Sequence, residues 1–384
     1  MRKDVKTARL VCTKFEFCAS PYLIDTAIVG SQTETLERFK AIARHHVFSK
    51  TVTTVVFSAC PLEREYATAD EYYQDLRTNY TGSKNIPTRE QCERHWREYQ
   101  ILYKDQAKLQ REGDDETSIR EALQYMPKIK HVVMSSRTWK LASHPLNKAW
   151  RPPDYHIIEP GGDPPNGPWQ VSHGFNIMSS ALLSNGMRLS SLTHAQPRRT
   201  SDCLRSGCFS EKTQEIFRPL RKIALILQRH LSLKSVGECV STATELEHLE
   251  IGLVNPTTRH MRSPEIFLTT WPKLHHLKLG ISIDYDLFVS FCHSHVESLR
   301  SLHIQHVHLF GETWGKLINV MKDCLQLTDI WLEGLSEEAH RDCTWGRRDD
   351  SSEASWERLS EAEEYILRGG ENPFTNNMFE LVAG

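Results

Sequence analysis

The sequence predicts an α/β fold in which short parallel strands alternate with helices along most of the chain. The main observation is an apolar pattern, L-x-x-L/I-x-L/I, that recurs in the C-terminal half. Its copies start at Leu220, Leu246, Leu274, Leu299 and Leu327. Their central residues, which are successively 26, 28, 25 and 28 residues apart, are Ile223, Leu249, Leu277, Leu302 and Ile330. Apolar residues at every second position indicate strands with one buried face, because successive side chains of a strand point to opposite faces.

A period of about 20 to 29 residues with this pattern is typical of leucine-rich repeats. We therefore predict a leucine-rich-repeat-like solenoid with strand-helix repeats of about 25 to 28 residues. Helical spacing fills the segments between the strands. One apolar helical face is formed by Leu287, Phe288, Phe291 and Cys292. The same face in the next repeat is formed by Trp314, Leu317, Ile318, Met321 and Leu325.

Weaker copies of the pattern extend toward the N-terminus, beginning at Val52, Ile129 and Leu189. A pair of helices is inserted among them. Thr88-x-x-Gln91 is a capping box that opens the first helix, whose apolar stripe is Cys92, Trp96, Tyr99 and Tyr103. Ser118-x-x-Glu121 predicts the start of the second helix, and the acidic residues 112–116 predict a break between the two.

The N-terminal residues place Val5, Ala8, Cys12 and Phe15 on one face of an amphipathic helix. The sequence motif Ala8-Arg-Leu-Val-Cys12-x-Lys-Phe15, followed by Ala19-Ser-Pro21-Tyr-Leu23, resembles the second half of an F-box in filamentous-fungal F-box proteins. Further similarities follow at Leu36-Glu-Arg-Phe39, Trp96-x-x-Tyr99 and Tyr365-x-Leu367-Arg-Gly-Gly370. The resemblance implies that the F-box docks the Skp adaptor of a cullin-RING ubiquitin ligase while the repeats hold an unknown protein substrate. The adaptor-docking residues that it implies are Leu10, Val11, Cys12, Phe15 and Pro21.

The first half of an F-box, a Leu-Pro-x-Glu helix start followed by an apolar helix, does not stand before this segment, since Met1 lies three residues before Asp4. Two explanations remain open: a start codon assigned too late, or a truncated relative that does not dock. Stable complexes bury about 1,200 to 2,000 Å² in total, and half an F-box presents only part of its share. We therefore expect the chain as written to bind the adaptor weakly or not at all.

These patterns divide the chain into five segments. They are a partial F-box-like helical segment at 1–26, irregular repeats with the inserted helix pair at 27–149, a Pro/Gly-rich loop at 150–168, the repeat array at 169–340 and a capping segment at 341–384.

The candidate partner-binding residues alternate with the buried leucines of the array and should point away from the core. They are His248, Glu250, His276, Lys278, His303, Asp329 and Trp331, and Lys222 and Ser301 extend the same strip. A strip of mixed charge with one exposed tryptophan suits a protein partner, because tryptophan is enriched at binding hot spots.

Composition excludes several other classes. A net charge of -2 does not favour nucleic-acid binding, and no apolar run of 18 residues predicts a membrane span. The 10 cysteines form no CxxC pair, which predicts free thiols in an intracellular protein of the cytoplasm or nucleus. The histidines lack neighbours that would complete a metal site. No common catalytic motif is present, so we predict neither an enzyme nor a cofactor.

Two alternatives to the ligase substrate receptor stay open. One is a leucine-rich-repeat scaffold that has a degenerate F-box and no link to a ligase. The other is a hydrolase, which would require a pocket with converging polar groups and a shifted pKa.

Overall fold

The computed structural model describes residues 20, 23–58, 68–79, 88–135, 170–195, 204, 206–227, 233–253, 264–338, 344–345 and 353–374. Within them the chain is an α/β protein with mostly parallel strands, and it divides into two compact units. Unit 1 holds the residues up to Leu189 together with His194–Leu204, and unit 2 holds Ser190–Thr193 and the residues after Leu204. The division falls beyond the predicted loop at 150–168, which lies outside the described residues.

Unit 1 consists of a parallel sheet and the helices that pack on it. Its elements are β1 Thr26–Val29, α1 Thr33–Arg44, β2 Thr54–Ser58, α2 Ala69–Asn79, α3 Arg89–Glu112, α4 Asp114–Leu123, β3 His131–Ser135 and α5 Gln170–Ser184. Strand β2 pairs in parallel with both β1 and β3. Its residue Phe57 is 2% exposed, and a Cβ added to Gly174 of α5 would overlap the Phe57 ring. Glycine at position 174 therefore lets α5 lie directly on the sheet.

The inserted helix pair is confirmed, with one correction. Thr88 caps α3 as predicted: its Oγ1 accepts from the backbone N–H of Gln91 at 3.3 Å, and its own N–H donates to Gln91 Oε1 at 2.8 Å. The two helices separate at Gly113, within the predicted break at 112–116, but the predicted helix start at Ser118 is wrong, because α4 begins at Asp114. Gly113 has a φ of 72°, which turns the chain within a single residue. The acidic residues then occupy the first turn of α4, where they favourably meet the positive end of the helix dipole.

Unit 2 contains most of the predicted array. Its strands in the main sheet are β4 Ser191–Ala195, β5 Lys222–Leu227, β6 His248–Leu253, β7 His276–Gly280, β9 Ser301–Gln305 and β11 Asp329–Glu333. Of β4, only Ser191–Thr193 belong to unit 2. Its short strands are β8 Ile283–Asp284, β10 His308–Phe310, β12 Leu335–Glu337 and β13 Thr344–Trp345. Its helices are α6 Glu211–Phe217, α7 Leu233–Ser241, α8 Pro264–Phe267, α9 Tyr285–Ser294, α10 Trp314–Cys324 and α11 Glu353–Arg368.

The predicted repeat register is confirmed across the main sheet. The residues that pair in register from β5 to β11 are Ile223, Leu249, Leu277, Leu302 and Ile330. All of them are buried, and the three central leucines are 0% exposed. A continuous apolar ladder therefore runs under five parallel strands, as the spacing of 25 to 28 residues predicts.

The short strands form a second sheet in unit 2, in which β10 pairs in parallel with β8 and β12 while β13 is antiparallel to β12. The turn between β9 and β10 and the turn between β11 and β12 both enter the left-handed region, at His306 with φ 55° and at Gly334 with φ 63°. His306 also donates its backbone N–H to Glu333 O at 2.7 Å, which joins the two turns.

Helix α11 closes the free edge of the main sheet. Glu363 Oε1 accepts a hydrogen bond of 2.7 Å from the backbone N–H of Leu332 in β11. Tyr365 donates to Asn319 Oδ1 of α10 at 2.7 Å, and Asn372 donates to Gly315 O at 2.8 Å. The helix ends at Arg368, and the following Gly369 has a φ of 84°. None of the described helices combines the length and the apolar character that a membrane crossing requires.

Candidate partner-binding surface

The strand register assembles the predicted partner-binding residues into two adjoining rows on one face of unit 2. The first row, from β5 to β11, is Lys222, His248, His276, Ser301 and Asp329. The second row is Ala224, Glu250, Lys278, His303 and Trp331. We call these two rows the polar strand face. Its side chains stand opposite the apolar ladder because they occupy the alternate positions of the same strands.

The predicted partner-binding residues differ in their exposure to solvent. Asp329 is exposed, whereas the remaining predicted members are half-buried. The sequence predicts an exposed tryptophan, but Trp331 is half-buried, and its Nε1 donates to Glu333 Oε2 at 3.2 Å. Glu333, a carboxylate that the sequence analysis did not single out, therefore fixes the indole at the edge of the face.

Imidazole rings form a contiguous series across the first row and into the second. The ring centroids of His248 and His276 are 5.5 Å apart, and those of His276 and His303 are 5.2 Å apart. Ser301 links these rings to the exposed carboxylate: His276 Nδ1 lies 2.9 Å from Ser301 Oγ, which donates to Asp329 Oδ2 at 2.7 Å. His303 Nε2 lies 2.8 Å from the same Asp329 oxygen.

Burial and neighbouring charges shift several pKa values on this face. Burial lowers the pKa of His276, and the proximity of His303 lowers it further, with Glu250 opposing and His248 and Lys222 adding to the decrease. Burial is also the main cause that lowers the pKa of His248, and the charges of His275 and Lys222 lower it further. Hydrogen bonds from Ser301 and His303 hold the pKa of Asp329 below its usual range. Near neutral pH the first row therefore combines uncharged imidazoles with an ionised aspartate.

The charged residues of the face are not all paired. Lys222 Nζ lies 3.5 Å from Glu250 Oε1, and Gln305 Nε2 donates to Glu333 Oε2 at 3.2 Å. Lys278 lies between Glu250 and His303 in register, and it makes no hydrogen bond or ion pair with any residue that the structure describes. Lys278 is thus a cation available to a ligand.

A surface without side chains adjoins Lys278, a feature that the sequence analysis missed. Gly252 and Gly280 are paired in register on β6 and β7, two residues beyond Glu250 and Lys278 on the same face. A Cβ added to Gly252 would meet no atom of a described residue within 4 Å, whereas one added to Gly280 would lie 3.2 Å from Gly252 Cα. The signal for this feature was the placement of glycines inside strands, since such glycines often mark a close approach of backbone or ligand.

Two further histidines of unit 2 have different hydrogen-bond partners. His295 is 1% exposed, and it accepts from the Trp271 backbone N–H at 3.0 Å through Nε2 while Nδ1 contacts Phe291 O at 2.8 Å. Burial lowers its pKa, so it is a neutral core residue. His308 Nδ1 lies 3.0 Å from Ser336 Oγ. Among the residues that the structure describes, no group of three or more His, Cys, Asp or Glu side chains is arranged to hold a metal ion.

Unit 1 contains a cluster of a serine, an aspartate and a histidine that differs from a catalytic triad. Asp115 is 0% exposed, and its Oδ2 accepts from Ser31 Oγ at 2.8 Å and contacts His173 Nε2 at 3.0 Å. Burial raises the pKa of Asp115, but these hydrogen bonds outweigh burial and leave the pKa lowered. In a triad the imidazole lies between the serine and the carboxylate. Here both groups contact the carboxylate instead, so the cluster ties α4 and α5 to the loop before α1.

An open pocket in unit 1 has a volume of about 510 Å³. Its polar side chains are those of Gln124, Lys130, Asn185 and Arg188, which offer amide and cationic groups. Asn185 Nδ2 is already bound to the carbonyl oxygens of Arg120 and Ala181. The lining contains no carboxyl, thiol or imidazole group, so it supplies none of the usual nucleophile and base pairs.

The adaptor-docking residues implied by the resemblance lie outside the described residues. They are Leu10, Val11, Cys12, Phe15 and Pro21. No protein-family model matches the sequence, and a search of curated proteins gives no significant match.

Proposed function

We propose that this chain is a protein-binding module and that the polar strand face of unit 2 holds the partner. One observation carries the proposal: the register of the four parallel strands β6, β7, β9 and β11 brings seven residues onto a single face, namely His248, Glu250, His276, Lys278, His303, Asp329 and Trp331. Such a face offers hydrogen-bonding and charged groups on a rigid base. The module itself performs no chemistry.

The proposed architecture behind this face is a leucine-rich-repeat-like solenoid. Support comes from the register of the apolar ladder, in which equivalent leucines of successive repeats stack directly on one another. The closing of the β11 edge by Glu363 also supports it, because terminal repeats need a cap over their exposed edge.

The proposed role is that of a substrate-recognition F-box-like subunit of an intracellular cullin-RING ubiquitin ligase. The resemblance of residues 4–23 to the second half of an F-box supports this role. The second candidate is a scaffold that uses the same face without a ligase. It requires only the polar strand face of unit 2 and no adaptor contact.

Capture experiments with variants of the face test the binding proposal. Proteins retained by the wild-type chain are compared with those retained by a Lys278→Ala, Trp331→Ala double variant. Lys316→Ala is the control, since Lys316 lies on helix α10 and not on the face. Its Nζ pairs with Glu312 Oε2 at a distance of 2.8 Å. A partner held through the face is lost from the double variant and kept by the control. Retention by all three proteins would contradict the proposal.

Titration of the chain with a purified Skp-type adaptor separates the two roles. Submicromolar binding supports the ligase subunit, and the same titration with Cys12→Asp and Phe15→Asp variants locates the contact. Failure of the adaptor to bind, with partner capture intact, favours the scaffold.

A further inference from the structure

We infer that the open pocket of unit 1 binds a small phosphate monoester, whose phosphate group contacts Lys130 and Arg188 and whose organic part packs on the apolar floor of the pocket. The inference goes beyond the proposed function, because the pocket lies in unit 1 whereas the polar strand face lies in unit 2. Three features of the pocket carry it: the charge of its lining, its unoccupied hydrogen-bond donors and its shape.

The lining of the pocket is positively charged. Its two charged side chains, Lys130 and Arg188, are both basic, and none of the described residues that line it is acidic. Asp25 is in register with Lys130 at the same end of the strands, but it stands two strands away, about 10 Å at the usual strand spacing. Along the chain around the lining, in 120–130 and 181–190, one acidic residue stands among four basic ones: Glu121 against Arg120, Lys128, Lys130 and Arg188.

The two cations of the lining are not occupied by the protein itself. The side chains of Lys130 and Arg188 make no hydrogen bond or ion pair with any residue that the structure describes. Ammonium and guanidinium groups donate hydrogen bonds and accept none, so they need an acceptor from a ligand. A phosphate monoester has a charge of about -1.5 to -2 at pH 7 and three acceptor oxygens, so it matches two cations better than a singly charged carboxylate does.

The backbone acceptors at the wall of the pocket are already in use. Helices α4 and α5 both end there, and the last carbonyl groups of a helix have no partner within the helix. Asn185 Nδ2 donates to the carbonyl oxygens of Arg120 and Ala181 at 3.0 and 2.8 Å. The backbone N–H groups of Gly186 and Met187 donate to two further carbonyl oxygens of α5, both at 3.0 Å. The groups that the pocket leaves for a ligand are therefore mainly donors.

The shape of the pocket suits a small organic molecule. Its volume of about 510 Å³ lies within the range of about 300 to 1,000 Å³ that is usual for small-molecule sites. Leu123 and Ile129, which are 1% and 2% exposed, give it an apolar floor, and Lys130 and Arg188 are exposed at its rim. An aromatic ring can therefore bury apolar area on the floor while the phosphate group stays with the two cations at the rim.

Titration of the full chain with phenyl phosphate at pH 7.5, followed by saturation-transfer difference NMR, tests the inference. We expect a Kd of about 1 mM or lower. Phenol lacks the charge and inorganic phosphate lacks the ring, so each should bind at least about tenfold more weakly, the second measured as a competitor. Benzoate keeps the ring and a single charge, and it should also bind more weakly than phenyl phosphate.

Variants of the chain locate the contact. Lys130→Gln and Arg188→Gln should each weaken phenyl phosphate about tenfold, the effect of one charge-assisted hydrogen bond. Lys128→Gln is the matched control: it removes an exposed charge from the same segment, but Lys128 does not line the pocket. Its affinity for phenyl phosphate should stay within about twofold of wild type. Circular dichroism of each variant checks that the fold is retained.

Each of three results would overturn the inference. The first is a lack of saturation at about 10 mM phenyl phosphate. The second is equal weakening by Lys128→Gln and Lys130→Gln, which would indicate a general attraction to basic surface. The third is binding of benzoate or inorganic phosphate as tight as that of phenyl phosphate. The capture experiments on the polar strand face use other residues in unit 2, so these results leave the proposed function unaffected.

Discussion

Replacing Leu277 with alanine tests the apolar ladder at its centre. Leu277 is 0% exposed, and its register partners Leu249 and Leu302 are also 0% exposed. The change removes three buried carbon atoms, which contribute about 2.4 kcal/mol at about 0.8 kcal/mol each. Hydrogen-bonded strands hold both partners in place, so the site collapses little and the remaining cavity adds about 1 to 2 kcal/mol.

The expected loss of unfolding free energy is therefore about 3 to 4.5 kcal/mol. With an m-value of about 1.5 to 3 kcal/mol per molar urea, the midpoint of the affected transition falls by about 1 to 3 M. Because the chain has two compact units, hydrogen exchange of peptides from β6, β7 and β9 accompanies the urea titration and assigns that transition to unit 2.

Leu268→Ala is the matched control, since Leu268 lies in the same unit and is 70% exposed. Its expected effect is within about 0.5 kcal/mol. Equal urea midpoints for Leu277→Ala and Leu268→Ala would refute the ladder, because a stacked repeat cannot lose a central leucine without a cavity.

Three further predictions concern the turns, the tryptophan and the histidines. Gly334→Ala should destabilise unit 2 by more than Gly311→Ala in urea unfolding: both glycines have positive φ, but only at Gly334 would the new Cβ collide with a neighbouring imidazole. Trp331→Ala should weaken a captured partner by about 2 kcal/mol or more in a binding titration, on the scale of interfacial hot spots. Lowering the pH from 7.5 to 5.5 should lower the free energy of unfolding in urea titrations, because burial lowers the pKa values of His248 and His276 and the unfolded histidines therefore bind protons first.

Each of these has a result that contradicts it. Equal losses of stability at the two glycines would mean that the turn relaxes around the new methyl group. Unchanged partner affinity after both Trp331→Ala and Trp331→Phe would place the indole outside the contact. A free energy of unfolding that is the same at both pH values, or that keeps its pH dependence in a His248→Gln, His276→Gln double variant, would show that these two histidines do not cause the loss of stability.

The sequence by itself determined the strands and helices of the repeat array. Period-2 alternation around Leu249, Leu277 and Leu302 is a local property, and equal spacing forces the copies into one register when they stack. The capping box at Thr88 was equally readable, because its hydrogen bonds join residues three positions apart.

Only the tertiary structure determined which polar groups form hydrogen bonds or ion pairs with one another. Glu363 caps Leu332 from 31 residues away, and Ser31 reaches Asp115 across 84 residues, so no local pattern encodes either contact. The start of α4 was misread because Gly113 turns the chain in one left-handed residue, which lets two helices follow each other without a loop. The same holds for Lys278: Glu250 stands directly opposite it in register, but forms its ion pair diagonally with Lys222 and leaves Lys278 unpaired within the described chain. Alternation along one strand fixes the face on which a side chain lies, whereas its partners depend on which strands stack and how far each side chain reaches across them.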